Sequence, residues 1–147
     1  MKKRLTIIQM DVHVNDVEYN YNRVQELLSQ SLSENPDIII LPETWNTGFY
    51  PSRELINISD KNGERTKSLL STFAKEHNVN IVGGSVAVAK NDVVFNTSYA
   101  YNREGTLVGE YSKMHGFSPA KEDQYFAGGT HTTHFELDGI PCSTVIC

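Results

Sequence analysis

The chain has 147 residues, 39% hydrophobic and 21% charged, with a formal charge of −5 at pH 7. That length suits one domain, or part of one, with a sizeable core, and the composition is that of a soluble globular protein. The mild acidity offers no basic face for nucleic acid or an anionic membrane, no apolar run approaches the ~20 residues that cross a bilayer, and Gln9 and Asp11 interrupt the first apolar run too early for a signal-peptide core, so a cytoplasmic protein is expected.

Leu5 to Val12 is apolar and rich in β-branched residues, and reads as a buried strand. Asn15 or Asp16 can cap the helix that follows, with Glu18 in its first turn. Val17, Tyr21, Val24, Leu27, Leu28 and Leu32 recur at intervals of three and four and form one apolar face. Asn35-Pro36 ends the helix. Asp37 to Leu41 is the continuous apolar run of a strand covered on both faces. A loop with Pro42, Gly48 and Pro51 leads to a second helix, Glu64 to His77, with Leu69, Leu70, Phe73 and Ala74 facing inward. Val79 to Val88 reads as a strand interrupted at Gly83-Gly84, and Val93 to Tyr101 as another. Asn102 to Gly105 is a turn that returns the chain along Thr106 to Met114. A Gly-containing loop covers residues 115 to 132, and Thr133 to Leu137 pairs with Ile140 to Ile146 around Asp138-Gly139.

Strands alternating with helices, then hairpins, predict an α/β layered fold with a mixed sheet. No repeat, low-complexity tract or linker divides residues 1–147, so they read as one domain unit. A chain that stops at Cys147, directly after an apolar strand, reads as truncated at that residue. A modified cysteine is one cause that would interrupt it there.

Three residues at predicted strand ends carry chemistry. Glu43 follows the strand Ile38 to Leu41, and the carboxyl ends of strands are where ligands bind in open α/β sheets. A carboxylate held there can serve as a base, although many so placed are helix caps or surface acids. Lys113 closes the Thr106 to Met114 strand, a position usually taken by a solvated charge. Cys147 follows Ser143 to Ile146; most such cysteines are inert core residues, and a nucleophilic one needs a base or cation beside it. Together, a carboxylate, an ammonium and a thiol at one sheet edge would form an acyl-transfer site. Cys142 and Cys147 lie five apart in one predicted strand, so their side chains should face opposite ways and both should be thiols. His131 and His134, with His115 as a conceivable third, have a metal-like spacing, but zinc sites usually take three or four protein ligands, and no metal site is expected.

The stretch Ile39-Ile40-Leu41-Pro42-Glu43-Thr44-Trp45 resembles the glutamate motif of the nitrilase superfamily, the carbon–nitrogen hydrolases. Gly109-Glu110-Tyr111-Ser112-Lys113-Met114-His115 resembles its lysine motif, and Ser143-Thr144-Val145-Ile146-Cys147 the run into its cysteine. Gln9-Met10-Asp11 and the Asn96-Thr97 pair also fit. The resemblance spans the whole chain in the family's order, and Glu43 to Phe49 is most like the omega-amidase branch.

The resemblance implies a four-layer αββα sandwich, of which this chain covers about the N-terminal half. It implies hydrolysis of a small linear amide, an omega-amide of a dicarboxylic or 2-oxo acid, with release of ammonia. Cys147 would be the nucleophile, Glu43 the general base, and Lys113 the partner of the oxyanion, with Glu122 placing the trio. Phe49 and Phe117 are candidates for the substrate pocket. No cofactor is implied, and the family's homodimers suggest one here. The family's residues after the cysteine, and its second half, have no counterpart in the chain. Three other readings compete: a non-catalytic module with this fold, a nitrile or carbamoyl hydrolase of the superfamily, and a Cys–His enzyme using His115.

Overall fold

A computed structural model describes residues 2–147. Strand β1 (Leu5–Ile7) leads to helix α1 (Val17–Ser31), a 3₁₀ turn (Leu32–Glu34) and β2 (Ile38–Ile40). Helix α2 (Leu55–Ile58), β3 (Asp60–Lys61) and helix α3 (Glu64–His77) follow, then β4 (Asn80–Val82), β5 (Val86–Lys90), β6 (Val93–Tyr101) and β7 (Leu107–Ser112). Two 3₁₀ turns, Ser118–Ala120 and Glu122–Gln124, precede the hairpin of β8 (His134–Leu137) and β9 (Ile140–Ser143).

The main sheet has seven strands in the order β1-β2-β4-β6-β5-β3, with β7 on the other side of β6. The first three are parallel, and β6 is antiparallel to β4, β5 and β7. The break at residues 83–85 lets β4 and β5 pair with successive halves of β6, Ile81 with Tyr101 and Val86 with Thr97. β8 and β9 form a separate two-stranded ribbon. This is the expected mixed α/β architecture, and it supplies a helical layer and a mixed sheet of the αββα sandwich.

The core lies where α1 and α3 cover one face of the sheet. Tyr21, Val24 and Leu28 of α1 and Leu70, Phe73 and Ala74 of α3 meet Ile39, Ile81, Tyr99 and Trp45. Each large side chain buried there contributes roughly 1.5–3 kcal/mol. Asp16 caps α1 by accepting a hydrogen bond from the Tyr19 amide at 3.1 Å, and Asn35, in a left-handed conformation (φ 49°), turns the chain away after it. Asp138 joins the ribbon's turn to the sheet edge, taking 2.7 Å contacts from Lys3 and Arg103, while Arg103 also reaches Asp37 at 2.8 Å.

Four local expectations are corrected. β1 stops at Ile7 rather than Val12, because its partner β2 ends at Ile40. It is also not a buried strand: it lies at the sheet edge, with Ile8 in the core but Leu5 and Ile7 on the face the helices leave uncovered. Residues 55–61 fold as α2 and β3 where a loop was expected. The last strand ends at Ser143, whose register partner His134 is the first residue of β8, so Thr144 to Cys147 have no strand to pair with. Cys142 and Cys147 therefore do not share a strand, and both are free thiols, Cys147 exposed.

Candidate active site

Glu43 owes its position to a loop fastened across the β4–β5 break. Leu41 extends the β2 ladder through its amide to the Val82 carbonyl (3.0 Å), and Ser85 returns a bond to the Pro42 carbonyl (3.0 Å). Thr44 takes a left-handed conformation (φ 46°), rare for a β-branched residue, and its amide donates to Ser85 Oγ at 3.0 Å. Trp45, fully buried, donates from its indole to the Gly83 carbonyl at 3.0 Å. The Asn46 side chain exchanges two bonds with the Ala87 backbone, at 3.0 and 2.8 Å. Gly84 permits the loop's approach: its φ is +58°, and a Cβ there would lie 1.9 Å from the Pro42 carbonyl oxygen.

Lys113 prolongs β7 by one residue, its amide bonding the Asn96 carbonyl of β6 at 2.9 Å. Its ammonium is buried, 2.9 Å from Glu43 Oε1 and 2.8 Å from Glu122 Oε2. Burial disfavours the charged amine, but the bonds to Glu122 and Glu43 and their negative charges outweigh it, and the Lys113 pKa lies above the ordinary lysine value. Lys113 is therefore a fixed cation at neutral pH. Glu122 is almost wholly buried and also accepts the Phe117 amide at 2.5 Å. Although it sits in the charged run Lys121-Glu122-Asp123, Glu122 is not a solvated acid.

Asn96 completes the group, donating from Nδ2 to Glu43 Oε1 at 3.0 Å. A pocket of about 280 Å³ adjoins Glu43, with Cys147, Ser98, Ser85 and Gly84 among its walls. The Ser98 hydroxyl in this wall is buried and unpartnered among the described residues. The structure thus joins Glu43, Lys113 and Glu122 by direct bonds and sets Cys147 on the pocket that Glu43 borders. The Phe49 and Phe117 rings are 6.3 Å apart but do not line that pocket, and Phe117 is half exposed. His115, His131 and His134 are exposed, and no group of three His, Cys, Asp or Glu side chains among the described residues is arranged to hold a metal ion.

Asn96, Ser85 and Gly84 went unassigned from sequence as parts of the site. The signals for Asn96 were the fit of the Asn96-Thr97 pair to the family and its place on the strand beside the one ending in Lys113. Choosing its face needs the β6–β7 register, in which Thr97 sits opposite Ser112.

A helical layer on a mixed sheet, with Glu43 and Lys113 just past the ends of two strands, Glu122 on a 3₁₀ turn bonded to Lys113 and a thiol on the adjoining pocket, defines an α/β protein with a carboxylate–ammonium cluster beside a pocket. Residues 4–147 match the carbon–nitrogen hydrolase family model, and the chain belongs to that family. It is 37% identical to a 2-oxoglutaramate amidase of Bacillus subtilis over all 147 residues, which are 56% of that protein's length. It is 27% identical to omega-amidase NIT2 of Danio rerio, over 99% of this chain and 54% of that protein. Among solved structures, XC1258 of Xanthomonas campestris, a CN-hydrolase superfamily protein, superposes with a TM-score of 0.86 at 28% identity, covering 99% of this chain and 53% of the other. The chain spans about half the length of the curated relatives it matches. No helix among the described residues is long and apolar enough to cross a membrane.

Proposed function

We propose that this protein hydrolyses a small linear amide, an omega-amide of a dicarboxylic or 2-oxo acid, and releases ammonia through a thioester on Cys147. The observation that carries this reading is the 2.9 Å Glu43–Lys113 contact beside the pocket that Cys147 lines. The 37% identity to a 2-oxoglutaramate amidase supports the choice of substrate class.

Glu43 takes the Cys147 thiol proton as sulfur attacks the amide carbon. Such base catalysis is worth ~10²–10⁴-fold. The carbonyl oxygen becomes an oxyanion that the Lys113 ammonium stabilises, a role suited to a cation held charged and buried. The C–N bond breaks, and the nitrogen leaves as ammonia with the proton from Glu43. Water, deprotonated by Glu43, attacks the thioester carbonyl; the C–S bond breaks, the carboxylic acid leaves, and the thiolate regains its proton. Each step balances with these three side chains and one water. Glu122 anchors the far side of Lys113.

Residues 1–147 belong, in this reading, to a single carbon–nitrogen hydrolase domain, and the protein forms a homodimer, which size-exclusion chromatography with light scattering checks. The functional test is ammonia release by the intact protein from a panel of omega-amides, nitriles and carbamoyl compounds. Omega-amides should be the best substrates, and Glu43→Gln should stay folded while losing turnover. Nitriles or carbamoyl compounds turned over in preference would displace the substrate class, and an active Glu43→Gln would remove the base.

A further inference from the structure

We infer that Asn96 is a positioning residue that fixes which oxygen of Glu43 acts as the base; the inference rests on the function proposed above. Glu43 Oε1 accepts two bonds, from Lys113 Nζ at 2.9 Å and from Asn96 Nδ2 at 3.0 Å. Oε2 accepts none among the described residues. The carboxylate is pinned through one oxygen, and the other keeps its lone pairs for the proton to be moved. A single donor would leave the carboxylate free to rotate about its last bond. Two donors from different strands, β6 and the end of β7, remove that freedom.

The state of the Asn96 carboxamide supports a role beyond packing. Asn96 is almost fully buried, and its Oδ1 has no hydrogen-bond partner among the described residues. Buried acceptors are normally satisfied, so an unpaired one calls for a reason. Turning the amide over would point an acceptor at the Glu43 carboxylate and lose the donor. The orientation that serves Glu43 is therefore kept although it leaves Oδ1 unpaired. The backbone of the same residue accepts the Lys113 amide at 2.9 Å, so Asn96 sets the base and its cationic neighbour from one point on β6.

The test compares Asn96→Ala and Asn96→Asp in the intact protein by steady-state ammonia release. Displacement of a reacting group by about 1 Å can cost about 10²-fold. Asn96→Ala should lower kcat by tenfold to a hundredfold, with KM within about twofold, a split expected when chemistry rather than binding is lost. Asn96→Asp keeps the shape but sets a second carboxylate against Glu43, and should be slower than Asn96→Ala. A packing role predicts the reverse order, because Asp fills the site and Ala does not. If either variant fails to fold, Asn96→Ser replaces it and should show the same loss of kcat at constant KM. In a Glu43→Gln background, Asn96→Ala should leave the alkylation rate of Cys147 by iodoacetamide unchanged, since its effect passes through Glu43. Wild-type kcat in Asn96→Ala, Asn96→Asp at least as active as Asn96→Ala, or a further loss of alkylation in the double variant would each overturn the inference. Retained ammonia release in Glu43→Gln would instead overturn the proposed function, which keeps the two failures apart.

Discussion

Gly84→Ala should cripple turnover without touching any group proposed to react. The residue lies at φ +58°, a region that costs a non-glycine residue roughly 1–2 kcal/mol. Space is the larger obstacle. An added Cβ would stand 1.9 Å from the Pro42 oxygen and 2.5 Å from the Leu41 oxygen. Cβ atoms essentially never approach closer than 3.0 Å, so the loop before Glu43 must lift by about 1 Å. Backbone oxygens cannot swing aside as a side-chain tip does, and the Ser85 bonds to Pro42 and Thr44 resist the movement. Because Glu43 follows Pro42 directly, it moves with the loop, and a 1 Å error at a reacting group costs about 10²-fold. The expected result is a kcat lower by one to two orders of magnitude, with a melting temperature lower by several degrees. Ammonia release and differential scanning calorimetry on the same preparation measure both. Wild-type kcat in folded Gly84→Ala would refute the idea that this close approach sets Glu43.

Lys113 has a raised pKa, so its ion pairs stabilise the fold fully below the unfolded lysine value near 10.4 and are lost as pH rises through the higher folded value. Wild-type melting temperature should thus hold up to about pH 10 with respect to this group, and Glu122→Gln should bring the alkaline decline to lower pH; coincident profiles would count against the pairing. Trp45→Phe leaves the Gly83 carbonyl without its indole donor and should cost about 1–3 kcal/mol in urea unfolding, and Trp45→Ala about 3–5 kcal/mol. Near-zero effects would show that the indole does not fasten the loop. Arg103, and then Lys3, hold the Asp138 carboxyl well below the usual carboxylate range, so its contribution is present above pH ~4 and fades as pH falls below that. Asp138→Asn should therefore be less stable than wild type at pH 7, with the gap narrowing progressively as pH falls below ~4, as read by melting curves; a difference independent of pH would contradict the clasp.

Some of this was legible in the sequence and some was not, for identifiable reasons. The face of α1 was readable because Tyr21, Val24 and Leu28 repeat with the helical period and all three are buried. The interruption at Gly83-Gly84 was readable because paired glycines break an apolar strand pattern, and the structure leaves no room for a Cβ at either, against Leu70 and Tyr99 at Gly83 and against the Pro42 loop at Gly84. Glu43 and Lys113 stood out as strand-end residues, but their 2.9 Å contact depends on four strands assembling in an order, β2-β4-β6-β7, that local pattern does not encode. The surroundings of Glu122 conceal its burial: Lys121 and Asp123 on either side are exposed, and Glu122 alone turns inward to accept bonds from the Phe117 amide and the Lys113 ammonium. The exposure of Leu5 and Ile7 was not readable either, since an apolar run does not reveal which of its faces the helices will cover. Which of Asn96 and Thr97 faces the site was hidden by register, one position along β6 being enough to exchange them.

In the proposed mechanism Cys147 is the nucleophile of the site that Glu43 and Lys113 share. Its most direct test is ammonia release by Cys147→Ala in the intact protein, with Cys142→Ala alongside. Cys147→Ala should fall to the uncatalysed background while Cys142→Ala keeps wild-type turnover; sustained ammonia release by folded Cys147→Ala would rule out Cys147 as the nucleophile.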